Sequence, residues 1–72
     1  MKQTDILTGR IIQRVLDKAK KEVISEVSVI HGVNDHHNIE RLINNLFEYF
    51  PDSTIALQKL KFGYELKITV RL

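Results

Sequence analysis

Ile39, Leu42, Ile43, Leu46, Phe47 and Phe50 recur at i, i+3, i+4, i+7, i+8 and i+11, and Pro51 follows at once. Apolar residues at that spacing fall on one side of an α-helix, so this stretch is an amphipathic helix that needs an apolar surface to lie on. Proline lacks an N–H and disfavours helical geometry in the residue before it, which stops the helix at Phe50. Asp52 and Ser53 complete a sharp turn. Asn34, Asp35 and Asn38 each carry an oxygen able to accept from the free N–H groups at the helix start, and the sequence does not choose among them.

The surface comes from the segments on either side. Ahead lies a β-branched strand, Val23 to Ile30, in which Val23, Ser25, Val27, Val29 and His31 share one face while Ile24, Glu26, Ser28 and Ile30 share the other. Gly32 is expected to end this strand, where the backbone must turn. Behind it, Tyr64, Leu66, Ile68, Val70 and Leu72 alternate with Glu65, Lys67, Thr69 and Arg71, the pattern of a strand buried on one face. Between them, Ile55 and Leu57 have one parity and Leu60 and Phe62 the other. A bulged strand explains that change of phase, and a short helical turn over 53–60 is the competing reading. Lys61, Phe62 and Gly63 suit a hairpin loop with glycine in the left-handed region, a register that sets Lys59 across from Glu65.

A further helix comes first. Ile11, Ile12, Val15, Leu16 and Ala19 form its stripe, which Leu7 or Thr8 continues one turn earlier, and Thr4 or Asp5 can cap it. Met1 to Thr4 are expected to fray, and Gly9 to delay a firm start until Arg10. Lys18, Lys20 and Lys21 complement the negative end of the helix dipole. The order helix–strand–helix–strand–strand predicts a single domain over 1–72. Its class is α/β, a small α+β sandwich whose three-stranded mixed sheet has two helices mainly on one face. The crossover through the second helix is expected to make its two strands parallel neighbours.

With 72 residues the chain is near the lower limit for a core-stabilised domain, and without cysteine it has neither disulfides nor thiolate chemistry. No apolar run approaches the roughly 18 residues of a membrane span, and the first residues lack the pattern of a signal peptide. These features suggest a soluble, cytoplasmic protein with no membrane partner. A net charge of +2 attracts a polyanion only if the cations gather on one face.

Such a gathering is legible on the first helix. Arg10, Arg14, Lys18 and Lys21 recur at steps of four, four and three, in one row near Asp17. The row is either a solvated face or a phosphate-contacting ridge. His31, His36 and His37 lie within seven residues, beside Asp35. Adjacent histidines on a regular helix point about 100° apart and cannot chelate together. His31 with one of them and Asp35 could reach one ion across the loop, but no established ligand spacing appears, and no metal or other cofactor is assigned. His36 is expected to pack at the start of the apolar stripe, with His37 exposed. His31, at a strand end before a helix, suits a general acid/base or a phosphate donor. Phe62 and Tyr64, with Lys59, Lys61 and Lys67 nearby, either stack bases or belong to the core with solvated neighbours.

Several of these segments resemble the Smr (small MutS-related) domain. The likeness is carried by Glu26-Val27-Ser28-Val29-Ile30-His31-Gly32, by the helix end Leu46-Phe47-Glu48-Tyr49-Phe50-Pro51, and by the closing Gly63-Tyr64-Glu65-Leu66-Lys67-Ile68-Thr69-Val70. The resemblance implies nucleic-acid binding, to DNA or RNA, and in some members nicking activity, with His31 the only catalytic candidate here. The family's opening strand, ending in Leu-Asp-Leu-His-Gly, is missing. Thr4-Asp5-Ile6-Leu7-Thr8-Gly9 lacks its histidine, and Val33-Asn34-Asp35 stands where the family has further glycines. Binding survives these losses better than catalysis. The implied contacts are Arg10, Arg14, Lys18, Lys21, His31, Gly32, Asn34, His36, His37, Lys59, Lys61 and Lys67. The missing strand implies an open sheet edge, through which the chain could form a homodimer or meet another protein with no ligand chemistry.

Overall fold

The computed structural model describes residues 2–22 and 25–71, with Lys2 described in its backbone alone. In chain order the elements are α1 (Lys2–Lys21), β1 (Glu26–Val33), α2 (Ile39–Tyr49), β2 (Ser53–Lys59) and β3 (Tyr64–Arg71). The expected strand start at Val23 and Ile24, and the expected strand end at Leu72, lie outside the described residues.

The α+β class and the order of elements are as the hydrophobic pattern predicts, and the alternation explains how the layers meet. Val27, Val29 and Val33 of β1 and Leu66, Ile68 and Val70 of β3 point to one face of the sheet. There they join Leu7, Ile11 and Val15 of α1 and Leu42, Leu46 and Phe50 of α2 in a single buried cluster. Among the described residues the other face carries no helix, which leaves Ile30 52% exposed.

The strand order corrects one expectation. β1 and β2 run in the same direction but are not neighbours, because β3 lies between them and pairs antiparallel with both. The sheet is therefore antiparallel rather than mixed. A central strand is covered on both edges, and β3, with three fully inward apolar residues, gains most from that place. The only apolar residues that β2 turns inward are Ile55 and Leu57, Leu57 being still 39% exposed, so it belongs at an edge.

Several local expectations are also corrected. α1 is continuous from Lys2, through Gly9, because tertiary contacts hold its first turns. Thr4 is fully buried and accepts from the Asn38 N–H at 3.1 Å, while Asp5 takes a two-pronged bond from Arg41 at 2.9 and 3.0 Å. Neither caps α1. Asn38 is the cap of α2, its side chain accepting from the Arg41 N–H at 3.0 Å. β1 does not stop at Gly32. It runs on to Val33, with Gly32 paired to Glu65 and its backbone in no left-handed conformation.

No bulge interrupts β2, and no helical turn replaces it. Leu60 and Phe62 change parity because they have left the strand for the loop, where Leu60 N–H bonds to the Gly63 carbonyl at 3.0 Å. That four-residue loop sets Lys59 opposite Tyr64 and Gln58 opposite Glu65, one step from the expected register. Gly63 does occupy the left-handed region, at φ 84°, and a Cβ there would collide with the Val33 carbonyl oxygen.

The two glycines should respond oppositely to alanine. A methyl group on Gly9 would meet nothing within 4 Å, so Gly9→Ala should raise unfolding free energy by about 0.5–1 kcal/mol. Gly63→Ala meets both a positive φ and a carbonyl, and should lower it by about 1–3 kcal/mol. Urea unfolding of the two variants tests the pair, and equal effects of one sign would contradict it.

Candidate functional site

An edge strand presents unpaired carbonyls, and those of β1 are met by α1. Arg14 and Lys18 stand one helical turn apart on the side of α1 that faces the strand. Lys18 Nζ donates to the Ser28 carbonyl at 2.7 Å, and Arg14 Nη1 donates to the Ile30 carbonyl at 2.9 Å. Because α1 runs antiparallel to β1, an i, i+4 pair on the helix matches an i, i+2 pair on the strand. The rises of about 6 Å and 6.6 Å nearly coincide. A charge-assisted bond of this kind fixes the side chain, while the acceptor, being neutral, leaves the cation's charge uncompensated.

The same Nη1 lies 2.8 Å from His31 Nδ1. A guanidinium can only donate, so Nδ1 accepts and the ring proton sits on Nε2. Partial burial lowers the His31 pKa first, and the positive charges of Arg14 and then Arg10 lower it further. The neutral ring is therefore favoured at neutral pH. His31 lies against Arg14 of α1, and Gly32 continues the strand instead of turning, so the expected glycine turn between imidazole and helix does not form. Among the described residues no carboxylate pairs with the ring to orient it as a general base.

Along this flank the basic row comes together. One shallow groove of about 240 Å³ is lined by Arg14, Asp17, Lys18, Lys21 and Val29. Beside it a second, of about 370 Å³, runs past Arg14, Lys18, Ser28, Val29 and Ile30 to Lys67 on the outer face of β3. Among the described residues Asp17 is the only acid lining either groove, and it accepts from Gln13 at 2.8 Å. Among the described residues the ion pairs are Arg41–Asp5, Lys59–Asp35 and Arg71–Glu26, and none of them involves Arg10, Arg14, Lys18, Lys21 or Lys67.

The other expected contacts lie elsewhere. Gly32 is a strand residue, and the Asn34 carbonyl accepts from the His37 N–H at 3.2 Å to close the loop before α2. Lys59 is held by Asp35 at 3.0 Å and lies over the Tyr64 ring, 4.5 Å from its centre. That bond from Lys59 holds the Asp35 carboxyl below its ordinary range. Lys61 lies over the ring of Phe62, a residue that is 82% exposed. His36 and His37 stack at 4.4 Å, but their burial is the reverse of the expected one. His37 is the half-buried residue, with its Nδ1 enclosed and unpartnered, and His36 is exposed. Burial, then the charge of His36, lowers the His37 pKa.

His31 is thus held by Arg14 and Asp35 by Lys59, while His36 and His37 lie against each other. Among the described residues no three or more metal-ligating side chains converge. No helix among them is long and apolar enough to cross a membrane.

Two features have no counterpart in the sequence pattern. One is the lock between the helices, in which Asn45 Nδ2 donates to Asp5 at 3.1 Å and to Thr8 Oγ1 at 3.3 Å beside the Arg41–Asp5 pair. The bond from Arg41 holds the Asp5 carboxyl below its usual range. The other is a cleft of about 240 Å³ at the start of α1, lined by Gln3, Ile6, Leu7, Arg10, His36 and His37. Neither carries a spacing signal, since each joins residues more than 25 positions apart.

The fold and the site define a small α+β domain whose first helix shields one sheet edge and leaves a row of uncompensated cations on that flank. No known family model, curated protein or solved structure matches this chain.

His31 and His37 are both lowered from the ordinary 6.5, so the unfolded chain binds protons before the folded one does. Stability should therefore be fully present above about pH 6.5 and fall as pH drops toward 5, ahead of carboxylate titration near pH 4. His31→Gln keeps an acceptor for Arg14 and should flatten part of that slope. Urea midpoints of both proteins across this range check it, and parallel curves would count against the role given to His31.

Proposed function

We propose that this chain is a nucleic-acid-binding module that holds phosphates along the α1–β1 flank. The observation that carries the reading is the segregation of its charge. Arg41, Lys59 and Arg71 are matched with carboxylates, whereas Arg10, Arg14, Lys18, Lys20 and Lys21 of α1 and Lys67 of β3 are not, among the described residues, and the only other lysine or arginine side chain outside an ion pair among them is Lys61 in the hairpin loop. From Arg10 to Lys21 the row extends about 16 Å along the helix, roughly five nucleotide steps of one strand measured along a duplex axis.

Arg14 and Lys18 are already ordered by the Ile30 and Ser28 carbonyls, so an arriving phosphate has less side-chain freedom to remove. Arg14, with two N–H groups engaged by Ile30 and His31, has three further ones, and Lys18 has two further protons to offer. With its proton on Nε2, the half-buried His31 can add one neutral donor beside them. The reading is of binding alone. His31 lies against guanidinium groups, which disfavour the imidazolium that a general base must become, so strand scission is not part of the proposal.

The resemblance to Smr domains points to the same class of ligand, and the absence of cysteine suits a cytoplasmic setting. Phosphate contacts position a protein without reading sequence, so binding is expected to be tolerant of base identity. Fluorescence anisotropy with single- and double-stranded DNA and RNA provides the test. Affinity should fall steeply with salt, and Arg10→Ala or Lys21→Ala should each reduce the log–log slope by about 0.7–0.9 for every phosphate the variant no longer neutralises. Absence of binding at low salt, or unchanged slopes in both variants, would refute the reading.

A further inference from the structure

The two edges of the sheet are treated differently, and the difference singles out β2. On β1 the free carbonyls of Ser28 and Ile30 are taken by Lys18 and Arg14, and a helix lies along the strand. β2 has no such cover among the described residues. Its ladder to β3 fixes which of its groups face outward. Since Ser28 and Ile30 face out from β1, the paired residues Val27, Val29 and His31 bond inward to Val70, Ile68 and Leu66. Residues 69, 67 and 65 of β3 must then bond to Thr54, Ala56 and Gln58 of β2. The N–H and C=O groups of Ile55 and Leu57 are left on the open edge. Among the described residues no side chain bonds to them.

We infer that the open edge of β2 pairs antiparallel with the β2 edge of a second copy of this chain, about a two-fold axis at Ala56, joining two sheets into one of six strands. The sequence of the strand carries this register. It sets Ile55 opposite the partner's Leu57, and Leu57 opposite the partner's Ile55, which are the residues with outward backbone groups. Both pairs thus exchange ladder bonds in both directions. Their side chains lie on the helix-covered face, where Leu57 is 39% exposed and Ile55 half-buried, so pairing covers apolar surface left open in the single chain.

On the outer face Thr54 meets the partner's Gln58, and the two Ala56 methyl groups meet at the axis with no bulk to separate the strands. Lys59, the only charge on the strand, faces the partner's Ser53 rather than its own copy. A slip of two residues either way moves the axis onto Ile55 or Leu57, which sets Leu57 against the partner's Ser53 or Ile55 against the partner's Lys59, respectively, and leaves one apolar residue of each chain without an apolar partner. An extended acidic peptide is a weaker match to this edge, because the strand offers one cation, which Asp35 already holds. The second copy is the occupant that the edge fits.

The chain contains no cysteine, so single-cysteine variants report the register without ambiguity. Across the proposed axis the two Ala56 Cα atoms lie about 4.5 Å apart, within the range a disulfide spans, whereas two Thr54 residues lie about 13 Å apart. Sedimentation of the unaltered protein over a concentration series should pass from 8.4 kDa to twice that mass. Under mild oxidation Ala56→Cys should cross-link at least tenfold faster than Thr54→Cys. Ala56→Glu, which faces Lys67 within its own sheet, should stay folded by circular dichroism yet raise the dimer dissociation constant at least tenfold. A chain that stays monomeric at every concentration, equal cross-linking at both positions, or a dimer indifferent to Ala56→Glu would each overturn the inference. These readouts need no nucleic acid, so they stand or fall apart from the binding reading.

Discussion

The structure depends on the way α1 lies against β1. Ile11 and Val15, both fully buried, press the helix onto the Val27 and Val29 face, while Arg14 and Lys18 on the adjoining side bond the strand's outward carbonyls. Apolar burial at about 1.5–3 kcal/mol for each large side chain holds the two together. The exposed polar bonds add less, but they set the register between helix and strand. One docking therefore does two things: it closes the core of a 72-residue domain, and it lays a row of cations along a sheet edge that would otherwise invite pairing.

The second helix is secured by a different chemistry. Thr4 accepts from the backbone of its cap residue, and Asp5, Arg41, Asn45 and Thr8 form a connected polar lock between α1 and α2. The lock is half exposed, so screening keeps its net contribution small. Its value lies in direction: it aligns two helices that begin at the same end of the sheet. With both on one face, the other face and the β2 edge remain uncovered among the described residues.

Much of this is legible in the residues. The stripe Ile39 to Phe50 and the alternation Tyr64 to Val70 each have one period and one buried face, and both appear as expected. The pairing order is not legible, because periodicity records which residues are buried and not which strand they lie beside. β3 takes the centre by virtue of its inward residues and its tight link to β2. The early start of α1 is hidden for a related reason: Gly9 weakens the helix locally, but Thr4 and Asp5 are held by residues more than 30 positions away.

For the site, the helical spacing of Arg10, Arg14, Lys18 and Lys21 is visible in the sequence. Their attachment to β1 carbonyls is not, since backbone acceptors have no sequence signature. Proximity in sequence misleads for the histidines, since Arg14 holds His31 on the α1 flank while His36 and His37 stay together in the loop before α2. The most direct measurement is therefore an amide NMR map of the protein titrated with a short oligonucleotide at low salt. The account predicts perturbations concentrated on Arg10 to Lys21 of α1 and Ser28 to His31 of β1. Shifts confined to the loop over 34–38 and the hairpin over 60–63, with the α1–β1 flank silent, would contradict it.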